Sequence, residues 1–219
     1  MEDAFFKIAP LGSEFKKIVN ISFVDEFGTA EPGIDGGGLF KEFMTLFCRK
    51  IFDPNVGYFI ETPEHTLTPN PVNLIGLKRE KHFEVIGMMV GKAIYEGVLI
   101  EPCLSRVFIA KMQGRNNNSD DLQYIDPVLH KNLMSLKWTN VNDLGLYFVV
   151  DQERFGEKIA VPLVPGGENI PVTEENKEDF IFLTANYKLN LQMEQEAKAF
   201  RRGLSKIIPE GCLDLFSPD

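Results

Sequence analysis

The chain has 219 residues, of which 44% are hydrophobic and 25% are charged, a composition typical of one large globular domain or two small ones. The formal net charge is −9, and an acidic surface repels phosphates, so the composition argues against a protein that binds nucleic acid. The apolar runs are short and the start of the chain is acidic, so neither a membrane-spanning segment nor a secretory signal is expected.

The first predicted helix follows three glycines at residues 36–38. Apolar residues then recur at three- and four-residue steps, the spacing that lines one face of a helix: Leu39, Phe40, Phe43, Leu46 and Phe47. Asp35 lies just ahead, where a carboxylate can accept hydrogen bonds from the free N–H groups of a first turn. Arg49 and Lys50 lie at the far end, which the helix dipole favours for cations, and Pro54 ends the helix.

A second helix is predicted from Lys81 to Gly97. Its apolar stripe contains Phe83, Ile86, Val90 and Ile94. Gly87 and Gly91 lie inside it, although a glycine within a helix costs about 1 kcal/mol relative to alanine. We therefore expect another backbone to pack very close to this helix, which makes it central and buried.

Two shorter helices are predicted next. One covers residues 102–112 and is followed by a polar loop at residues 114–121, the best candidate for an internal boundary. The other begins with Asp126 as its cap and Pro127 in the first helical position. Its leucines recur at four- and three-residue steps: Leu129, Leu133 and Leu136.

The last third of the chain changes pattern. Residues 146–150 and 159–164 indicate strands, and residues 165–167 indicate a turn. A final helix is predicted from Thr173 to Gly203, about 30 residues that would span roughly 45 Å. The sequence thus predicts an α+β, mainly helical fold, in which a helical body is interrupted by an α/β insert from Asp121 to Thr184.

Three cysteines, Cys48, Cys103 and Cys212, are far apart and odd in number, which argues against disulfides and favours a reducing compartment. None lies at zinc-ligand spacing to another cysteine or a histidine, so no metal site is expected. Cys103 lies near a predicted helix start, where a nucleophilic thiolate would be favoured, but no histidine is adjacent. We interpret all three as structural.

Two further features allow a structural or a functional interpretation. A glycine-rich turn before a helix can hold a phosphate, but Leu39 and Phe40 stand where a P-loop requires Lys and Ser or Thr, which favours a plain capped turn. The leucine stripe of the short helix is more often core than interface. The insert is too small to bury every apolar face, however, and an exposed groove there would mark a partner site.

Five ordered blocks of this sequence resemble HECT-type ubiquitin ligases, and most closely their 3C and 3B branch. Together they extend over nearly the whole chain, and five motifs in order are far more specific than one glycine turn. The blocks are residues 31–43 (EPGIDGGGLFKEF), 52–59 (FDPNVGYF), 69–71 (PNP), 87–96 (GMMVGKAIYE) and 170–177 (IPVTEENK), the last continuing to 199–203 (AFRRG).

The resemblance implies that residues 1–219 are the N-terminal lobe of a HECT domain. In that family a large helical subdomain, here 1–120 and 185–219, carries a small subdomain, here 121–184, that docks a ubiquitin-conjugating enzyme. A C-terminal lobe carries the cysteine that accepts ubiquitin as a thioester and passes it to a substrate lysine. The motif of that cysteine does not occur in this sequence, so the chain is expected to bind partners without transferring ubiquitin, with no catalytic residue of its own.

The docking groove of relatives falls by position on seven residues: Leu129, Leu133, Leu136, Leu144, Leu146, Phe180 and Thr184. Thr184 departs from the aromatic residue often found there, which implies a shallower groove or a different conjugating enzyme. The implied partners are a conjugating enzyme, ubiquitin on a second surface of the large subdomain, and substrate proteins bound through other regions. No cofactor, metal, nucleic acid or membrane is implied, and the location is expected to be cytoplasmic, nuclear or both.

Two other functions stay open at this point. An independent enzyme would use residues 36–38 to hold a phosphate or Cys103 as a nucleophile, and nucleotide-dependent stabilisation or selective alkylation would reveal it. A pure scaffold would bind neither a conjugating enzyme nor ubiquitin.

Overall fold

A computed structural model of the chain describes residues 2–24, 38–72, 76–101, 103–154 and 157–215. Within these residues the α-helices are α1 (Glu2–Ile8), α2 (Gly38–Ile51), α3 (Arg79–Tyr95), α4 (Arg106–Met112), α5 (Pro127–Leu136), α6 (Lys177–Asn186) and α7 (Glu194–Ser205). Strands β1 (Phe59–Glu61) and β2 (Leu67–Pro69) form one antiparallel hairpin. Strands β3 (Val149–Arg154) and β4 (Glu157–Pro162) form another, with Val149 opposite Pro162. The predicted mainly helical α+β class is confirmed.

Helix α2 begins and ends close to the predicted positions. Its last turn carries the expected Arg49 and Lys50. The buried face is rotated from the predicted stripe, because Met44 is buried whereas Leu46 is half-exposed. The glycine turn ahead of the helix, including Asp35, lies outside the described residues, so both interpretations of that turn remain predictions.

Helices α3 and α7 cross in direct backbone contact at two glycines. A methyl group on Gly87 would overlap the carbonyl oxygen of Phe200, and one on Gly203 would overlap the carbonyl oxygen of Glu84. The prediction that glycines in the second helix mark a close backbone approach is confirmed. Helix α3 is accordingly the central helix of the body, and Phe83, Ile86 and Met89 along it are fully buried.

A cluster of charged side chains ties the same two helices together at the edge of this crossing. The Arg202 guanidinium contacts Glu80 at 2.8 Å and Glu84 at 3.1 Å, and the Lys206 ammonium also contacts Glu84. The Glu84 carboxylate is only 21% exposed, so its ion pairs are less screened than those of a fully exposed carboxylate.

Replacing Glu84 with glutamine is expected to lower the free energy of unfolding near neutral pH. The difference from the wild type should become smaller as the pH falls. Burial acts to raise the pKa of Glu84, but the hydrogen bonds and positive charges of Lys206 and Arg202 outweigh it and hold the pKa below its usual range. A depressed pKa adds stability above the unfolded value of about 4.3, and this stability is lost as pH falls through the folded pKa. Urea unfolding from about pH 7 to about pH 3 measures the difference. The exposed Glu64→Gln is the control, and an effect of Glu84→Gln that stays constant with pH would contradict the assignment.

Helix α4 is shorter than predicted at its start. It begins at Arg106, where the Ser105 hydroxyl accepts a hydrogen bond from the Phe108 N–H at 3.3 Å. Cys103 therefore lies in an extended segment ahead of the helix, and its carbonyl accepts a hydrogen bond from the Leu67 N–H at 2.8 Å. Since Cys103 is not in a helical first turn, the dipole argument for a reactive thiolate does not apply to it.

The single helix predicted over residues 173–203 is wrong in its start and in its continuity. The Asn176 side chain accepts a hydrogen bond from the Thr173 N–H at 2.7 Å, which holds a turn, and α6 begins only at Lys177. A π-helical turn (Tyr187–Leu191) then separates α6 from α7. The buried Asn190 exchanges two hydrogen bonds with the Asn117 backbone, at 2.9 and 3.0 Å, and so binds the polar loop at this break.

In the insert, the first predicted strand is displaced by a few residues. Residues 146–148 precede β3, and Tyr147 pairs in an isolated bridge with Pro171. The turn predicted at residues 165–167 is present, with Gly166 in the left-handed region at φ 73°. The division of the chain into two subdomains at residues 120 and 184 remains a prediction.

Candidate partner-docking groove

Helix α5 forms one wall of an open groove in the insert. The Asp126 carboxylate caps it by accepting a hydrogen bond from the Leu129 N–H at 2.9 Å, and Pro127 takes the first helical position, as predicted. Residues four and three apart share a face of a helix, so Leu129, Leu133 and Leu136 line up toward the groove.

Helix α6 and the segment before β3 form the other sides. Phe180 and Thr184, one turn apart on α6, line the groove, and Phe148 supports Phe180 from behind in an edge-to-face contact at 5.6 Å between ring centroids. The Leu146 carbonyl accepts a hydrogen bond from the Val172 N–H at 2.8 Å, which fixes the backbone between Leu144 and β3.

The structure brings all seven residues that the sequence singled out to one open cavity of about 670 Å³. Leu133 and Phe180 are 3% and 7% exposed and form its base, and Thr184 is buried beside them. Leu144, by contrast, is 47% exposed and stands at the rim. The groove is therefore open to solvent although its base belongs to the core of the insert. That these residues contact a partner remains a prediction.

Sequence reasoning missed the side of the groove that the hairpin supplies. Tyr147, Val149 and Val150 also line it. The sequence predicts an apolar strand over residues 146–150, but which helix this strand meets depends on tertiary packing. The apolar lining is therefore wider than the seven predicted residues.

One end of the groove is polar. Lys188 lies there with Asp126 and Asp151. Burial lowers the pKa of Lys188, and the negative charges of Asp126 and Asp151 act in the opposite direction. The buried Thr184 hydroxyl has no hydrogen-bond partner among the described residues. An occupant of the groove would thus meet an apolar base and a charged end.

The cysteines do not form a second candidate site in the described residues. Burial raises the pKa of the Cys48 thiol to about 11, so it is protonated and inert near neutral pH. Cys103 is exposed and Cys212 is partly exposed, and both are free thiols. Nowhere in the described ranges do three His, Cys, Asp or Glu side chains gather as a metal site would require. The described helices also include none with the length and hydropathy to cross a bilayer.

Comparison with known proteins supports the resemblance to HECT-type ubiquitin ligases. Residues 45–219 match the model of the HECT domain (ubiquitin-transferase). The chain is 40% identical over 98% of its length to a probable E3 ubiquitin protein ligase of Schizosaccharomyces pombe, covering 21% of that protein. It is 37% identical over 99% of its length to E3 ubiquitin-protein ligase UPL6 of Arabidopsis thaliana, covering 22%, and 33% identical over 99% to ubiquitin-protein ligase E3B of Mus musculus, covering 21%. The chain thus spans about a fifth of the length of these relatives.

Proposed function

Because this chain belongs to the HECT-domain ubiquitin-transferase family, we propose that it takes part in ubiquitin transfer by docking a ubiquitin-conjugating enzyme in the groove between α5, α6 and β3. The observation that carries the proposal is the convergence of the seven predicted residues on one open apolar cavity. Ubiquitin and substrate proteins are the further partners that this function requires.

The groove has the properties of a protein-docking site with a central anchor. A base of leucine and phenylalanine side chains loses water easily, and a few such buried contacts carry most of the binding energy of an interface. An aromatic side chain on a loop of the conjugating enzyme would fill the cavity against Leu133 and Phe180. The exposed Leu144 at the rim would be covered in the complex.

This function assigns binding, and no bond-making step, to the described residues. A thioester requires a thiolate nucleophile, and the Cys48 thiol is held protonated by burial. No base adjacent in sequence activates Cys103. The family's motif around the ubiquitin-accepting cysteine does not occur in this sequence, around Cys212 or elsewhere, and we therefore propose that this cysteine is supplied from outside this chain. The groove would hold the donor enzyme while transfer occurs.

Replacing Leu144 with aspartate is expected to weaken binding of a conjugating enzyme about 30-fold, or about 2 kcal/mol, because it places a charge where an apolar rim must lose water. Leu144 is suited to the test because it is already half-exposed, so the fold tolerates a polar residue. Leu46→Asp on α2 is the matched control, since Leu46 is 48% exposed and does not line the groove. Calorimetric titration of both variants against a panel of conjugating enzymes measures the effect.

A second pair of variants tests the base of the groove. Phe180→Ala should weaken the same interaction while its circular dichroism spectrum stays that of the wild type, a check that is needed because Phe180 also belongs to the core. Phe182→Ala, two positions along α6 and largely exposed, should not weaken binding. Equal binding by Leu144→Asp and Leu46→Asp would refute the groove assignment. If no conjugating enzyme in the panel binds the wild-type chain, the scaffold interpretation is favoured instead.

A further inference from the structure

A second cavity lies on the helical body, between α1, the 3₁₀ turn that follows it and the start of α3. It has a volume of about 310 Å³ and an apolar lining formed by Phe5, Phe6, Ala9, Pro10 and Val85. None of these residues lines the groove of the insert. The cavity is therefore a separate surface from the groove that is proposed above to dock a conjugating enzyme.

The wall of this cavity is held in place by aromatic contacts. Phe5 is buried and stacks on the His82 ring with centroids 4.1 Å apart. The His82 Nδ1 atom and the Tyr58 hydroxyl lie 2.6 Å apart in a hydrogen bond. Because these side chains are fixed by one another, the cavity does not require large rearrangement before it is occupied. Phe6, the next residue of α1, is 80% exposed at the mouth.

The rim of the cavity is basic. Lys78, Lys81 and His82 line it, and in the described part of the chain no acidic side chain does. The ammonium groups of Lys78 and Lys81 form no hydrogen bond or ion pair with any described residue. The acidic residues of the same helix are neutralised elsewhere, since Glu80 and Glu84 pair with side chains of α7.

This local charge is opposite to that of the chain. With a net charge of −9, the chain as a whole repels acidic partners, whereas Lys78 and Lys81 give the rim of this apolar cavity a local positive charge. Complementary charges at a rim direct encounter, and a buried apolar anchor supplies affinity. Two lysines are fewer than the clusters of about 4–8 basic residues that bind anionic lipid, which favours a protein partner over a membrane.

We propose that this cavity docks an acidic segment of a partner protein, which inserts one bulky apolar side chain against Phe5, Phe6 and Val85. The carboxylates that flank the anchor pair with Lys78 and Lys81. The volume of the cavity suits a single anchor.

The test uses a fluorescein-labelled peptide of about nine residues, with a central phenylalanine flanked on both sides by glutamate and aspartate. Wild-type protein is expected to bind it, and Lys78→Glu/Lys81→Glu to bind it at least about tenfold more weakly in fluorescence anisotropy. Lys137→Glu/Lys158→Glu, which makes the same charge change at exposed lysines outside the cavity, is the matched control and should bind as wild type. Binding should weaken with added salt, because the pairs are exposed to solvent.

Further arms separate the anchor from the charge. A peptide with alanine in place of phenylalanine should bind more weakly. The protein variant Phe6→Ala should also bind the original peptide more weakly, and its fold should be intact because Phe6 is exposed. The proposal is overturned if the acidic peptide does not bind, if a lysine-flanked peptide binds equally well, or if the two double variants behave alike. It is also overturned if ubiquitin or anionic vesicles bind here in preference to the peptide.

Discussion

Replacing Gly203 with alanine is expected to destabilise the chain by about 3 kcal/mol, although alanine is the better helix former by about 1 kcal/mol. The added methyl group would overlap the carbonyl oxygen and carbon of Glu84 on the facing helix. A backbone atom cannot move aside as the end of a flexible side chain can, so α3 and α7 must separate and lose packing along their length. Urea unfolding followed by circular dichroism measures the loss.

The control for this prediction is Gly38→Ala at the start of α2, where an added methyl group meets no atom of the described residues within 4 Å. There the greater helix propensity of alanine should leave stability unchanged or slightly raised. Gly87→Ala should behave like Gly203→Ala, because its methyl group would meet the Phe200 backbone. A Gly203→Ala protein as stable as Gly38→Ala would show that the two helices are not in the backbone contact described.

Replacing Arg79 with methionine is expected to cost about 3 kcal/mol, because it leaves a largely desolvated carboxylate without its partner. The Arg79 side chain is 8% exposed and donates from Nε to Glu196 at 2.6 Å, and Glu196 is 12% exposed. The same guanidinium donates to the carbonyls of Val72, at 3.1 Å, and Asn70. Its loss therefore leaves three acceptors unsatisfied in a poorly solvated site.

The double variant Arg79→Met/Glu196→Met distinguishes this explanation from a simple loss of packing. Removing both charges relieves the uncompensated carboxylate, so the double variant should be more stable than Arg79→Met alone. Lys198→Met, which breaks an exposed pair with Glu194 at 2.7 Å, should cost less than about 0.5 kcal/mol. The single variant Glu196→Met completes the comparison. If the double variant loses as much stability as Arg79→Met and Glu196→Met added together, the prediction is contradicted.

The sequence predicts well those structural features that are determined by residues close together in the chain. Asp126 and Pro127 define the start of α5 by capping geometry that involves only their neighbours, and the helix begins at the predicted residue. Gly87 indicated a close backbone contact because an interior glycine costs helix stability. For its counterpart Gly203 the sequence predicts only a helix end, since the residues next to it in the chain do not indicate which helix it faces.

Features that depend on distant residues were missed. The break between α6 and α7 coincides with two hydrogen bonds between Asn190 and Asn117, which lies 73 residues earlier in the chain. Helical periodicity in the sequence does not reveal such a contact. In the groove, the family resemblance placed the seven residues, and the capping signal placed α5. The contributions of Val149 and Lys188 follow from the way the hairpin and the π-helical turn pack, which periodicity does not determine.

The dual position of Leu133 and Phe180 limits how the groove can be re-engineered. Both side chains belong to the hydrophobic interior of the insert while they form the base of the cavity. A library randomised at these two positions would return mostly misfolded proteins, whatever target is used for selection. Leu144 and Tyr147 are half-exposed and can vary without disturbing that interior. Engineering of this groove for a chosen protein target should therefore diversify the rim and leave the base unchanged.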